Sequence, residues 1–394
     1  MYKSIKLQQG KERNAVLRHP WVFSGAFESK PTNITNGEIV QVSDAGNQIL
    51  GVGTYSEGSM IAVRLFDFKE VELNEAWFVE KIKEANDKRE FLGYGKEKDT
   101  TGYRVIFSEA DGIPGLVVDK FEDVLVMQIS TLGTRNLKPL IVNALVKVLK
   151  PKAIVSKEVV SARNEENLEG TGEVVYGKLP AKVTFYENGY KFFADPVKGQ
   201  KTGFYLDQKD LRNEITKYSK GKKVLNLFSY SGAASVYVLK NGAKSVLNVD
   251  SSKEALAWAK TNATLNKILS TKSKNDCDDI FQWLAKKTEP DYDMVIMDPP
   301  ALIKTFKDKE SGMKAYHFLN RAALRLVKKG GIFVTSSCSH FLTDLELETT
   351  LRRASVQAGV KLTVLKKILQ SPDHPISVYF PESTYLKSYI CLVS

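Results

Sequence analysis

Lys223-Val-Leu-Asn-Leu-Phe-Ser-Tyr-Ser-Gly-Ala-Ala234 is an apolar run that stops at a small-residue turn with one glycine and resumes on alanines. Residues 223–228 read as a short buried strand and 233–240 as the helix after the turn. The alternation continues with a strand at 245–249, a helix at 253–265 and a strand at 292–297 that ends in Asp298-Pro299-Pro300. A helix at 312–327, a short strand at 332–335, a helix at 345–357 and strands at 362–365 and 389–393 follow. Strands and helices alternating at this spacing predict a doubly wound, Rossmann-like α/β sheet. Ligands of such sheets bind at the carboxyl ends of the strands.

Upstream the texture differs. Residues 37–43, 49–55 and 60–66 are strand-like, with a turn signal at Asp44-Ala-Gly46-Asn47, and predict a small β-barrel. A helix is expected over 74–91, with Trp77, Phe78, Ile82 and Ala85 on its apolar face. Strands at 103–107, 116–119, 124–129 and 153–156 and a helix at 139–149 form a β-β-α-β-like middle block. A polar loop is expected at 161–172, and a hairpin at 184–195 around Asn188-Gly189. The expected division is 1–72, 73–195 and 196–394, the middle part being a small α+β domain.

The composition is that of a globular chain, 43% hydrophobic and 26% charged. Lys and Arg number 57 against 46 Asp and Glu, a formal charge of +11 that favours a polyanionic partner such as RNA. Three cysteines without a CxxC pair suggest neither a disulfide framework nor a metal site. The N-terminus has no signal-peptide core and no apolar run reaches spanning length, so a cytoplasmic protein with no membrane partner is expected.

At the strand ends, the turn 228–234 lacks the three glycines of a pyrophosphate cradle and suits a ligand without phosphates. Asp250, eighteen residues after Gly232, is placed to accept both ribose hydroxyls, and Asp279 to address an adenine amino group. Either carboxylate is equally read as the N-cap of the next helix. In this order the set favours S-adenosylmethionine. Asp298-Pro299-Pro300 is followed by Ala301-Leu302 and not by the aromatic residue usual in amino-group methyltransferases.

Cys338, in Thr335-Ser336-Ser337-Cys338-Ser339-His340, stands at the end of the short strand. By position alone it is a small core side chain. Beside the cofactor signals it becomes a candidate nucleophile, because a thiolate adding to C6 of a pyrimidine makes C5 enamine-like. Cys391 reads as core and Cys277 as part of a polar loop, leaving Cys338 as the one cysteine at the ligand end. His340 reads as a structural or base-contacting residue, and His19, His317 and His374 as isolated.

KTGFYLDQKDLR (201–212), VLNLFSYSGAASVYVLKNGA (224–243), DPPAL (298–302) and SSCSH (336–340) resemble the RlmI-like 23S rRNA 5-methylcytosine methyltransferases over essentially the whole chain. Arg18-His19-Pro20-Trp21-Val22-Phe23-Ser24-Gly25-Ala26 resembles the opening of that family's RNA-binding PUA domain, and the middle block its EEHEE-type domain. The resemblance implies a class I methyltransferase sheet that binds S-adenosylmethionine through Asp207, Gln208, Phe228, Ser229, Gly232, Asp250, Ser251, Asp279, Asp298 and Pro299. It implies Cys338 as nucleophile, Asp298 facing the reaction, Lys11, Arg13, Arg18 and Trp21 on RNA, no metal, and a homodimer. Lys209 stands where the family commonly has Arg, which loses the planar fork; Arg212 fits. Ala301 replaces the second cysteine of better-known RNA 5-methylcytosine enzymes, so the base that removes the C5 proton falls to Asp298 or a water it orients. The alternatives are a purine N-methyltransferase using Asp298-Pro-Pro and a non-catalytic RNA-binding protein.

Overall fold

The computed structural model describes residues 2–96, 99–158 and 172–394. The polar loop expected at 161–172 therefore lies outside the described residues, apart from Gly172. Two compact units emerge. One comprises Met1–Tyr186, Ala194–Leu206 and Pro372–Ser383, and the other Glu187–Phe193, Asp207–Ser371 and Thr384–Ser394.

In the first unit, β1 (Lys3–Lys6), β2 (Trp21–Phe23), β3 (Ile39–Ser43), β4 (Ile49–Tyr55) and β5 (Ile61–Asp67) form a five-stranded sheet in the order β1-β3-β4-β5-β2. Val40, Val42, Val52, Val63 and Leu65 are its nearly solvent-free core. Two of these strands, β1 and β2, are too short to announce themselves in the sequence, and β1 is also half lysine. The helix Glu75–Phe91 begins where expected, because the Asn74 side chain accepts the Trp77 N–H at its first turn.

A second sheet of this unit contains β6 (Gly102–Phe107), β7 (Leu116–Phe121), β8 (Val124–Ile129), β9 (Ala153–Glu158) and β10 (Glu173–Gly177), in the order β10-β9-β8-β7-β6. The helices Glu75–Phe91 and Lys138–Leu149 contribute Phe78, Ile82, Ile141 and Leu145 to the core shared with Val118, Leu125 and Met127. Burial of each such side chain contributes about 1.5–3 kcal/mol. The middle block is thus larger than the β-β-α-β expected, because the mostly exposed β10 and the short helix Leu132–Asn136 carry little apolar pattern.

Under these strands lies a buried ionic network. Arg89 donates to both oxygens of Asp111 at 2.7 and 2.6 Å, and to the carbonyls of Arg104 and Asp373. Arg104 donates to both oxygens of Asp119 at 2.7 and 2.9 Å, and its own N–H donates to Asp373. Thr202 adds a 2.6 Å bond to Asp119. His374 is no isolated histidine: it is buried, its Nδ1 lies 3.0 Å from Asp373 Oδ1, and its ring packs on Phe107.

β11 (Val183–Glu187) and β12 (Tyr190–Ala194) form the expected hairpin. Asn188 and Gly189 both have positive φ, 48° and 77°, which is the backbone a two-residue primed turn demands.

The second unit is the doubly wound layer. β13 (Lys223–Leu227), β14 (Ser245–Asp250), β15 (Ser273–Cys277), β16 (Tyr292–Met297), β17 (Val327–Ser337), β18 (Leu362–Ile368) and β19 (Lys387–Val393) stand in the order β15-β14-β13-β16-β17-β19-β18. β19 is antiparallel to both its neighbours, and the other pairings are parallel. Val224, Leu225, Leu227, Val295 and Met297 are fully buried, as strands covered on both faces require. The chain reverses its direction of winding between β13 and β16, where the turn after Leu227 and the Asp298-Pro-Pro loop both leave the sheet.

Several sequence boundaries shift, among them the last two strands, expected at 362–365 and 389–393 and found at Leu362–Ile368 and Lys387–Val393. The helix expected at 312–327 is Lys309–Arg325, and Val327 already pairs with Tyr292 as strand. Leu324 and Val327 are both buried, so apolar spacing runs across the junction without marking it. β17 is accordingly eleven residues long, and Thr335, Ser336 and Ser337 belong to it. Cys277 is not in a loop: it ends β15, opposite Asp250.

Candidate active site

The turn that follows β13 is held in an uncommon backbone. Phe228 and Tyr230 have φ of 57° and 44°, and Gly232 has φ of 68°. A Cβ at Gly232 would also lie 2.8 Å from the Ala259 Cβ, so the residue is fixed as glycine twice over. What holds the turn is Asp250: its Oδ2 accepts the Tyr230 N–H at 2.8 Å and its Oδ1 the Ser252 N–H at 2.9 Å. Asp250 is therefore not the N-cap of the next helix. That role belongs to Ser252, which accepts the Ala255 N–H. Asp279 is the cap of its helix, accepting the Gln282 N–H at 2.9 Å from an exposed position.

Ser229 Oγ is buried and has no hydrogen-bond partner among the described residues. An unmatched buried hydroxyl costs about 1–3 kcal/mol, so its place beside the Asp250 carboxylate suits a polar ligand that supplies the missing bond. A carboxylate at a strand end accepts ribose hydroxyls, and the loop offers no row of amides for a pyrophosphate. These residues fit S-adenosylmethionine. Ser251 is exposed, and its carbonyl lies 3.5 Å from Cys277 Sγ.

The loop 207–208 joins the neighbouring strand end. The Gln208 side-chain amide donates to Asp298 Oδ2 at 2.7 Å, and Asp207 is buried, accepting the Tyr385 hydroxyl at 2.6 Å. Pro299 is buried beside them and Phe228 packs partly against the sheet core. Lys209 is almost solvent-free, whereas Arg212 forms a buried two-bond pair with Glu187 at 2.8 and 2.7 Å.

Around Cys338 the serines have specific partners. The Tyr316 hydroxyl lies 2.8 Å from Ser337 Oγ and 2.9 Å from Ser339 Oγ, and Ser336 pairs with Ser388 at 2.8 Å. Ser339 Oγ also accepts the Ile303 N–H, tying the cysteine segment to the loop after Asp298-Pro-Pro. Cys338 itself is half-buried, whereas His340 beside it is exposed. Lys387 is opposite Ser337 in the β17–β19 register and only 9% exposed. Its ammonium donates to the carbonyls of Ser339 and Tyr385 at 3.4 and 3.3 Å. Burial pulls it below the usual lysine range, and Asp344 and Cys338 oppose that pull.

Sequence reasoning missed Lys387, Tyr316 and Tyr385. A lysine inside Tyr385-Leu-Lys-Ser-Tyr-Ile-Cys391 was the available signal, since a buried cation in an apolar strand needs a reason. The expectation that Cys338 alone sits at the ligand end is corrected by Cys277, which ends the edge strand β15. Cys391 is fully buried in β19, and burial pushes its thiol up to about 12.

In the first unit, Lys11, Arg13 and Arg18 are exposed. Trp21 is half-buried, its Nε1–H donates to Glu109 at 2.9 Å and its ring meets Phe380 edge to face at 4.9 Å. Among the described residues, no helix is long and apolar enough to cross a membrane.

Known proteins resemble this chain in sequence and in fold. The profile of a PUA-like domain matches residues 5–68, and that of an S-adenosylmethionine-dependent methyltransferase matches 161–375. The ribosomal RNA large subunit methyltransferase I of Vibrio vulnificus (strain YJ016) is 37% identical over 399 residues, covering 100% of both chains. That of Serratia proteamaculans (strain 568) is 36% identical over 392 residues, 98% of each. A methyltransferase crystallised with SAH shares the fold at a TM-score of 0.85 and 24% identity, over 99% of this chain and 100% of that one. A structure from Streptococcus mutans gives 0.84 and 23%, with the same coverage. Such a match along its whole length, on a sheet whose strand ends fit the cofactor, means that the chain belongs to the ribosomal RNA large subunit methyltransferase I family of S-adenosylmethionine-dependent methyltransferases.

Proposed function

We propose that this protein methylates C5 of a cytosine in 23S rRNA through a covalent bond between Cys338 and C6 of the base. The observation that carries the reading is the setting of Cys338: half-buried at the end of β17, next to the strand that delivers Asp298, with a buried lysine opposite its neighbour. Cys277 ends β15 on the far side of Asp250 and has an exposed side chain, which suits a bystander.

The cofactor would be held by Asp250, Ser229 and the turn at Gly232, with Asp207, Gln208 and Asp279 around it. S-adenosylmethionine supplies, when bound, an electrophilic methyl group on a sulfonium. Cys338 as thiolate adds to C6, forming the S–C6 bond and shifting the C5=C6 electron pair onto C5, which becomes nucleophilic. Once C5 carries the methyl, Asp298 takes the C5 proton, the C–H pair restores C5=C6 and the S–C6 pair returns to sulfur. The Gln208 amide on Asp298 Oδ2 supports the carboxylate form needed for that step. The base must be single-stranded or flipped out for sulfur to reach C6.

The exposed Lys11, Arg13 and Arg18 make the N-terminal sheet the proposed RNA contact, in a cytoplasmic enzyme acting as a homodimer. Replacing all three by Ala should lower the slope of log affinity against log salt by about 2–3.

Bisulfite sequencing of rRNA from cells with and without the gene tests the reading: one cytosine should lose its protection. RNA carrying 5-fluorocytidine at that site should trap a covalent complex with the wild type and with Cys277→Ser, and none with Cys338→Ala. Methylation preserved in Cys338→Ala would overturn covalent catalysis in favour of nitrogen methylation.

A further inference from the structure

Lys387 has a place in the fold that structural need does not explain. It lies on β19, whose neighbours Leu386, Tyr389, Ile390 and Cys391 are all buried, and it is opposite Ser337, one residue before Cys338. An apolar residue at this position would fill the same strand without the cost of burying an ammonium, which is several kcal/mol by order of magnitude. The Lys387 ammonium has three N–H donors. Two go to the Ser339 and Tyr385 carbonyls, and among the described residues no third acceptor takes the last. Both carbonyls favour the charged amine over the neutral one.

Among the described residues, the groups that bear on the charge of this ammonium include Asp344, at the start of the helix Asp344–Ala358, and Cys338, beyond the end of β17. Tyr389, two residues along the same strand, also feels Asp344. Asp344 is exposed and helps keep Lys387 charged; Cys338 is half-buried, and a cation held near a thiol favours its thiolate form. The Ser339 carbonyl that Lys387 holds belongs to the residue after the cysteine, and Tyr316 grips the hydroxyls on both sides of it. Thus the residues on both sides of Cys338 are held in place, and the one that follows it is bonded directly to the cation.

We propose that Lys387 is the fixed cation that keeps Cys338 as a thiolate before attack and stabilises that thiolate again when it leaves. The inference rests on the covalent reading above. Ionisation sends the thiol proton to solvent, and Lys387 remains an ammonium throughout, giving up no proton. In the first step its charge raises the fraction of sulfur present as the nucleophile. In the last, as the S–C6 bond breaks and its electron pair returns to sulfur, the same charge makes the thiolate a better leaving group. Lys387 is a positioning residue that acts through Cys338 and is assigned no contact with the base.

The test is the pH dependence of iodoacetamide alkylation of the intact protein, read at the Cys338 peptide by mass spectrometry. The wild-type midpoint should fall below the ordinary thiol value of about 8.5. Lys387→Met should raise the midpoint by about one pH unit and slow alkylation at pH 7 roughly tenfold. Lys387→Arg should restore most of the rate. Lys387→Gln, which keeps a donor for the carbonyls but not the charge, should behave like Lys387→Met and covers the case in which the methionine variant does not fold. Profiles of the folded variants that superpose on the wild type would overturn the proposal. The 5-fluorocytidine trap, run in parallel, separates the two readings. An adduct with superposed profiles removes the role of Lys387 alone, whereas shifted profiles with no wild-type adduct keep the charge pairing and remove the covalent chemistry.

Discussion

Arg89 and Arg104 in the first unit, and Lys387 in the second, are all buried cations, yet their surroundings differ in kind. Each arginine meets a carboxylate through two bonds and adds further bonds to the segment around Asp373. Lys387 has two long bonds to carbonyls, no carboxylate within bonding distance among the described residues, and a cysteine in its field. The planar guanidinium, matched on its carboxylate, spends its charge on order. The ammonium holds a donor in reserve at the carboxyl end of the sheet, where ligands bind.

That contrast is most sharply broken at Cys338. Cys338→Ala should lower methyl transfer by at least roughly a thousandfold, while the urea midpoint stays near the wild type. A large loss of stability with little loss of turnover would place Cys338 with the core instead.

The ionic network should show the reverse pattern. Asp119→Asn should cost about 3–5 kcal/mol in urea unfolding, because it leaves Arg104 buried without its partner. The same carboxylate sets a pH dependence. Burial by itself would raise Asp119, but the Arg104 guanidinium and the Thr202 hydroxyl hold it below the usual range. Its stabilisation is thus fully present above the unfolded value of about 3.9 and is lost as pH falls through the lower folded value. Urea midpoints measured from pH 6 downward should decline below about pH 4 in the wild type. The decline should be shallower in Asp119→Asn.

A smaller effect is expected at the cofactor turn. Asp250→Ala should weaken S-adenosylmethionine binding by about 1.5–3 kcal/mol in calorimetry, since it removes both the proposed ligand contact and the bond that shapes the turn. Asn74→Ala, which touches only a helix start, should cost about 1 kcal/mol of stability and leave binding unchanged.

Much of the second unit was legible in sequence for a physical reason. Its central strands are buried on both faces and its helices carry local start signals, so 233–240, 253–265 and 292–297 are bounded as the sequence suggests. The places of Asp250 at a strand end and of Gly232 in a turn were legible too, because both are local features. What stayed hidden depends on register. Lys387 comes to the segment of Cys338 only because β19 inserts between β17 and β18, a pairing of residues fifty positions apart. Tyr316 looked like one more aromatic on a helix, and nothing local says that its hydroxyl reaches two serines. The network around Asp119 was invisible for the same reason, since Asp373 arrives from the far end of the chain.

That last arrangement bears on how the protein is made. Residues 372–383 lie between β18 and β19 in the chain but belong to the first unit, where Asp373 binds both Arg89 and Arg104. During synthesis the N-terminal half therefore emerges from the ribosome with its buried arginines still short of one partner. It completes its interior only after residue 373 has been translated. A gene fragment that ends before that segment encodes an unfinished half, so this enzyme cannot be shuffled or truncated at its apparent midpoint as if it were two cassettes in tandem.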